Sequence, residues 1–279
     1  MQPLNPQQVQ AYLQHLGTHA PLRVDRAILD RLIAAQMQRV PFENIDVLLQ
    51  RPILLDADAV FAKVIERGRG GYCFEINSLF ARLLLSFGYP VSLLSARVRR
   101  GLPCDASTTM LSHLLLRVEV STDSFIVDIG FGGPTPPCAL PLLERAGLTD
   151  CPYQLQPPSQ EDPFYQLQAL QNGKWQTMYQ FNLQPQPWVD YIALNWYTST
   201  HPNSLFLSTL MCARSTSDQR LSLFNCDFSR RYADGRIEQQ SIDSTTKLIE
   251  LLHHEFGLKL DPVNDCEPLR QRLHKLLQI

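Results

Sequence analysis

"GRGGYCFEINSLF", Gly68 to Phe80, sets glycines on both sides of one arginine, then a single cysteine, then the first apolar positions of a helix. Ile76, Phe80, Leu83 and Phe87 follow at spacings of four, three and four, and Gly88 and Pro90 stop the pattern. The spacing predicts a helix that opens at or near Cys73. A sulfur at a helix's first turn meets unpaired backbone N–H groups and the positive end of the helix dipole, and both stabilise a thiolate. Glycines just upstream let the backbone turn sharply and let a carbonyl approach amide donors, so Gly70, Gly71 and the Cys73 N–H form a candidate oxyanion site.

This stretch is also where the chain changes period. Upstream, Asn5 and Pro6 read as an N-cap with proline at N1, Val9, Leu13 and Leu16 form one stripe, and Gly17 ends it. Further helices are expected from about Asp25 to Arg39 and from Asp58 to Arg67. Downstream of Gly88 the pattern alternates: "VSLLSARV" (91–98), "SHLLLRVEV" (112–120) and "SFIVDIGF" (124–131) read as strands of an antiparallel sheet or barrel. The proline- and glutamine-rich stretch from about 134 to 190, with "KWQTMYQF" (174–181), fits a sheet with irregular loops. The last part mixes strands at 204–214 and 219–228 with helices near 243–256 and 266–277. The expected class is α+β, with units at 1–88, 89–190 and 191–279.

Composition narrows the function. The 279 residues suffice for a core and a cleft. With 44% hydrophobic and 19% charged residues and 25 basic against 27 acidic, the net charge is −2, which gives no reason to expect nucleic acid or an anionic membrane as partner. "MQPLNPQQVQAYLQHLG" lacks a signal peptide's basic and apolar regions, and no apolar run is long enough to span a bilayer, so a cytoplasmic protein is expected. Seven cysteines, scattered without C-x-x-C pairs, read as reduced thiols and not as a zinc site.

A nucleophilic thiol needs a base, and the base needs an orienting group. Of seven histidines, His113 alone stands near the start of a strand otherwise filled with Leu114, Leu115, Leu116 and Val118. Asp128, in "FIVDIGFGG", sits among residues that are normally buried, and a buried aspartate must be paired or hydrogen-bonded. If the hairpin turns at Thr122 and Asp123, residue i faces 245 − i, which leaves His113 and Asp128 on one face but four residues, about 13 Å, out of register. Direct contact then requires i to face 241 − i, through an asymmetric turn or a bulge near 119–124.

"RGGYCFEIN" (69–77), "SHLLLRV" (112–118) and "VDIGFGG" (127–133), with "PFENIDV" (41–47) upstream and "STHPNSLF" (199–206) downstream, resemble the arylamine N-acetyltransferase family over essentially the whole chain. The resemblance implies a helical bundle, an antiparallel β-barrel and an α/β lid on a cysteine-protease-like core. It makes Cys73 the acylated nucleophile, His113 its base and Asp128 the orienting acid. Arg69 and Glu43 would form a structural ion pair. Phe42, Phe125 and Phe131 would line an acceptor pocket, and Gly130 and Gly132 would let the acyl donor approach. It further implies acetyl-CoA as co-substrate, no tightly bound cofactor, small aromatic amine or hydrazine acceptors, and a monomer or homodimer. The competing readings are an amide synthase or another acyl-CoA-dependent acyltransferase of the same family, a cysteine hydrolase, and a small-molecule binding protein with an inert thiol.

Overall fold

The computed structural model describes residues 1–21, 23–103, 105–143 and 151–277. Local signals start and stop its helices. The Asn5 side chain accepts from the Gln8 N–H at 2.9 Å and the Gln8 side chain accepts from the Asn5 N–H at 3.1 Å, opening α1 (Pro6–Leu16), which ends at a left-handed Gly17 (φ 67°). Asp25 caps α2 (Arg26–Arg39). A short α3 (Ile45–Leu48) follows, and the helix expected at 58–67 is α4 (Ala57–Phe61) running into a π-turn over Ala62–Glu66. Helix α5 (Cys73–Ser86) opens on the cysteine itself.

Two sheets follow. The first joins β2 (Val91–Val98), β3 (Leu111–Val120), β4 (Asp123–Val127), β5 (Leu140–Pro141), β6 (Tyr153–Gln156), β7 (Tyr165–Gln171) and β8 (Lys174–Phe181) in the order β5-β4-β3-β2-β8-β7-β6, a nearly closed antiparallel barrel. The second has the order β1-β9-β10-β11-β12, with β9 (Met211–Ser215), β10 (Gln219–Phe224), β11 (Asp227–Tyr232) and β12 (Ile237–Ser241). Its edge strand β1 (Phe42–Glu43) comes from the N-terminal part, so the helical region donates a strand to the C-terminal sheet. Helix α6 (Trp188–Thr200) crosses the expected boundary at 190/191 without a break, and α7 (Thr245–His254) and α8 (Glu267–Leu277) pack on the second sheet. The strand expected at 204–214 is shorter, because Leu205–Leu207 forms a 3₁₀ turn.

Strand β3 explains how the parts are held together. Leu114, Leu116 and Val118 point out of the barrel into a core shared with α5, while Leu115 and, on β4, Ile126 point into the barrel. The barrel therefore packs one face of β3 on the helix that carries Cys73.

Candidate active site

Cys73 is the first residue of α5, and its preceding residue, Tyr72, has extended backbone. Cys73, His113 and Asp128 are 5%, 3% and 3% exposed, so all three are enclosed. The β3–β4 ladder pairs Leu116 with Val127 and Val120 with Asp123, so residue i faces 243 − i. This is neither register expected from the sequence: the turn is Ser121–Thr122, with Ser121 left-handed (φ 56°). Continued, that register sets His113 against Gly130 and Asp128 against Leu115. A two-residue diagonal lies within reach of long side chains, and His113 Nε2 stands 2.7 Å from Asp128 Oδ2. Asp128 also leaves the strand at this point, since β4 ends at Val127.

The other carboxylate oxygen is fixed as well. Asp128 Oδ1 accepts from Asn77 Nδ2 and from the Gly130 N–H, each at 3.0 Å. Asn77 in turn donates to the Leu114 carbonyl at 2.7 Å and accepts from the Ile129 N–H at 3.1 Å. Burial raises Asp128, but the His113 ring and these donors outweigh it and hold the carboxyl below its ordinary range. Burial pulls the imidazole down, yet Asp128 and a hydrogen bond to Cys73 outweigh that and hold His113 raised to about 10. With Nε2 turned to Asp128, Nδ1 is the ring nitrogen left for the thiol. The arrangement is an imidazolium clamped between a sulfur and a carboxylate. The Cys73 sulfur also lies 3.9 Å from the Ser112 carbonyl.

The glycines serve close packing. A Cβ on Gly70 would collide with the Pro41 carbonyl oxygen, and one on Gly71 would meet Glu75 Oε2 at 2.8 Å. Gly71 N–H donates to Pro41 O at 3.4 Å and Tyr72 N–H to the Glu75 carboxylate at 3.0 Å. The expected oxyanion site therefore loses Gly71. A Cβ on Gly130 would meet Asn77 Nδ2 at 2.9 Å and Cys73 Cα at 3.0 Å, so this glycine makes room for the helix start; Gly132 (φ 70°) lies against the Phe42 ring.

Arg69 and Glu43 do pair, through Nη2 and Oε1 at 2.8 Å, within a larger network. Arg69 also reaches Asp46 and Asp265, Lys63 bridges Asp46 and Glu75 at 2.7 Å each, and Arg51 joins Asp265 at 2.6 Å. Phe131 packs its ring 5.2 Å from His113. Phe42 packs beside Phe206, with ring centroids 6.2 Å apart and planes tilted by 45°. Phe125 is not brought to the site: it points to the opposite face of β4 from Ile126 and Asp128, with its ring under Arg26 at 5.2 Å, in the helical core. Sequence reasoning gave no role to Asn77, Tyr179 or Phe206. Asn77 stands one helical turn after Cys73, on the same face of α5. Phe206 lies in the quoted "STHPNSLF", whereas Tyr179, 5.1 Å from the His113 ring, needed the barrel's closure to be found.

A family model described as N-acetyltransferase matches residues 25–265. An arylamine N-acetyltransferase of Mycobacterium bovis is 36% identical over 272 residues, covering 96% of this chain and 95% of that protein. The chain belongs to the arylamine N-acetyltransferase family. Among other members, an arylamine N-acetyltransferase / N-hydroxyarylamine O-acetyltransferase of Salmonella typhimurium is 37% identical over 226 residues, 80% of this chain and 79% of its own. The solved arylamine N-acetyltransferase of M. tuberculosis superposes with a TM-score of 0.88 at 32% identity, over 96% of this chain and 98% of that one. The Mycobacterium marinum arylamine N-acetyltransferase, solved in complex with CoA, gives 0.88 at 30% identity over 96% and 99%. Family membership bears out the expected architecture of helical bundle, antiparallel barrel and α/β unit. No helix among the described residues is long and apolar enough to cross a membrane.

Proposed function

We propose that this member of the family transfers an acetyl group from acetyl-CoA to an aromatic amine through an acetyl-Cys73 intermediate. The observation that carries the reading is the enclosed Cys73–His113–Asp128 relay, with His113 held raised to about 10 by its two neighbours. In the first half-reaction the Cys73 sulfur attacks the thioester carbon, the carbon–sulfur bond to coenzyme A breaks, and His113 gives its proton to the departing thiolate. In the second, the amine nitrogen attacks the acetyl-cysteine carbon, passes a proton to His113, and releases Cys73 as thiolate. One thioester replaces another of similar energy, so the first step is reversible and needs only an activated sulfur. Asp128, fixed by Asn77 and Gly130, keeps the ring turned toward the thiol throughout.

The proposal extends to hydrazines and N-hydroxyarylamines as acceptors, with the Phe131 and Phe42 rings as the apolar wall beside the acetyl group. It also sets the enzyme in the cytoplasm, where the free thiols of Cys73, Cys138, Cys151, Cys212, Cys226 and Cys266 stay reduced; Cys104 lies outside the described residues. Steady-state kinetics with acetyl-CoA and a simple aniline tests the scheme. Parallel double-reciprocal lines, and no turnover by Cys73→Ala, are expected. Intersecting lines, or appreciable turnover by Cys73→Ala, would overturn it.

A further inference from the structure

Strands β10 and β11 set Arg220 directly opposite Arg231. Like charges at facing positions destabilise an antiparallel pair, so this pairing calls for a reason. The neighbouring Arg230, on the other face, has Glu255 at 2.7 Å. Among the described residues no ion pair joins a carboxylate to Arg220 or Arg231, nor to Arg100, the third guanidinium of the group, and Arg220 Nε is enclosed with no hydrogen-bond partner. Burial, with Arg100 and Arg231 adding to it, pushes the Arg220 guanidinium down to about 10. Burial and Arg231 act in the same direction on Arg100. Three cations crowd one another around an unused donor.

The cluster opens onto two adjoining cavities of about 470 and 480 Å³, both lined by Arg220 and Arg231, the second also by Arg100. Ser222 and Ser229, whose hydroxyls meet at 2.8 Å, stand on the same strand face beside the arginines. The cluster is also contiguous with the thiol site. The Arg100 chain lies 3.3 Å from where a Cβ of Gly133 would be, that same Cβ would meet the Phe131 ring at 2.7 Å, and Phe131 packs on His113. Thr135, Met37 and Ser215 line both the cavity of about 470 Å³ and a cleft beside Phe42 and Gly132.

We propose that Arg100, Arg220 and Arg231 bind the phosphates at the nucleotide end of the acyl donor, an inference that rests on the acyl-CoA reading above. Guanidinium forks match phosphate oxygens in pairs, and a polyphosphate offsets the mutual repulsion of the three guanidinium groups. The acceptor amine brings no such charge. The site therefore distinguishes a coenzyme A thioester from a short thioester with the same acyl group.

Two measurements test this. Calorimetric titration with 3′-phosphoadenosine 5′-diphosphate is expected to show binding that weakens with salt and drops at least about 10-fold in the double variant Arg220→Gln/Arg231→Gln. No binding, or binding equal in the variant, overturns the site, and inorganic diphosphate competing as well as the nucleotide overturns its assignment to the donor. In transfer assays the variant is expected to lose about 10- to 100-fold in kcat/KM with acetyl-CoA and to keep its kcat/KM with S-acetylpantetheine. Equal loss with both donors overturns the proposal. The free variant is expected to melt no lower than wild type, since a repulsive pair is removed, and a lower Tm would mark the arginines as structural. Nucleotide binding without any acetylation of Cys73 would refute the acyltransfer reading and leave the anion site standing; acetylation without nucleotide binding would do the reverse.

Discussion

His113 has an acid on one ring nitrogen and a sulfur on the other, and its proton is shared property of three side chains. Held raised to about 10 against 6.5 for a free imidazole, it keeps in the native state a proton that the unfolded chain gives up at lower pH. Its stabilising contribution is complete below pH 6.5 and is lost as pH rises through about 10. Asp128, held below its usual 3.8, contributes in full above 3.8 and loses its part as pH falls through its lowered value. Asp128→Asn is therefore expected to flatten the fall in Tm between pH 6.5 and about 10, because the carboxylate that contributes most to holding the proton is gone; parallel Tm curves for the two proteins would count against the pairing. Asn77→Ala leaves the buried Ile129 N–H and one lone pair of Asp128 without partners, and is expected to cost about 1–3 kcal/mol in denaturant unfolding. Loss of that positioning should also lower kcat/KM about 10- to 100-fold. A stable, fully active variant would show that the amide does not position the acid. The acid and the base were readable in the sequence, because an aspartate among "FIV" and "IGF" must have a partner. The amide was not, because its role depends on where β4 ends.

At the scale of elements, one helix start and one hairpin must meet, and Gly130 is where they touch. Gly130→Ala would drive a methyl group against the backbone of Cys73 and the amide of Asn77. A displacement of the sulfur by about 1 Å is expected to cost about 100-fold in kcat. Gly173→Ala serves as the control, since that left-handed glycine (φ 75°) has nothing within 4 Å of its Cβ position. It is expected to destabilise by about 1 kcal/mol with activity intact. Comparable activity losses in both variants would mean that packing at the helix start is not the cause. The start of α5 was legible from Cys73 and the stripe beyond it, and the strand β2 from its alternation. The hairpin register was not, because a turn shifted by one residue moves the pairing by two, and only the left-handed Ser121 decides it. In helix α6, Tyr191, Asn195 and Thr198 recur at helical spacing after Pro187, but the aromatic and β-branched residues around them read equally well as strand, so the sequence does not distinguish the two.

The molecule as a whole is tied together by buried charge. Arg69 links Glu43 on the strand lent to the second sheet, Asp46 on α3 and Asp265 just before α8, so one side chain joins the ends of the chain. Removing one member strands the others, and Arg69→Ala is expected to lower unfolding stability by about 3–5 kcal/mol, largely independent of salt. A change below 1 kcal/mol would show that water takes the guanidinium's place. Of this network the family resemblance implied only the Arg69–Glu43 pair, since the remaining partners come from distant segments that no local pattern connects. In the proposed reaction the whole protein is an acyl carrier, and intact-protein mass after brief mixing with acetyl-CoA and no amine reports that state. One acetyl group, mapped to Cys73 and removed by an added arylamine, is the predicted result. An unmodified protein, or an acetyl group elsewhere that no amine removes, would contradict the account.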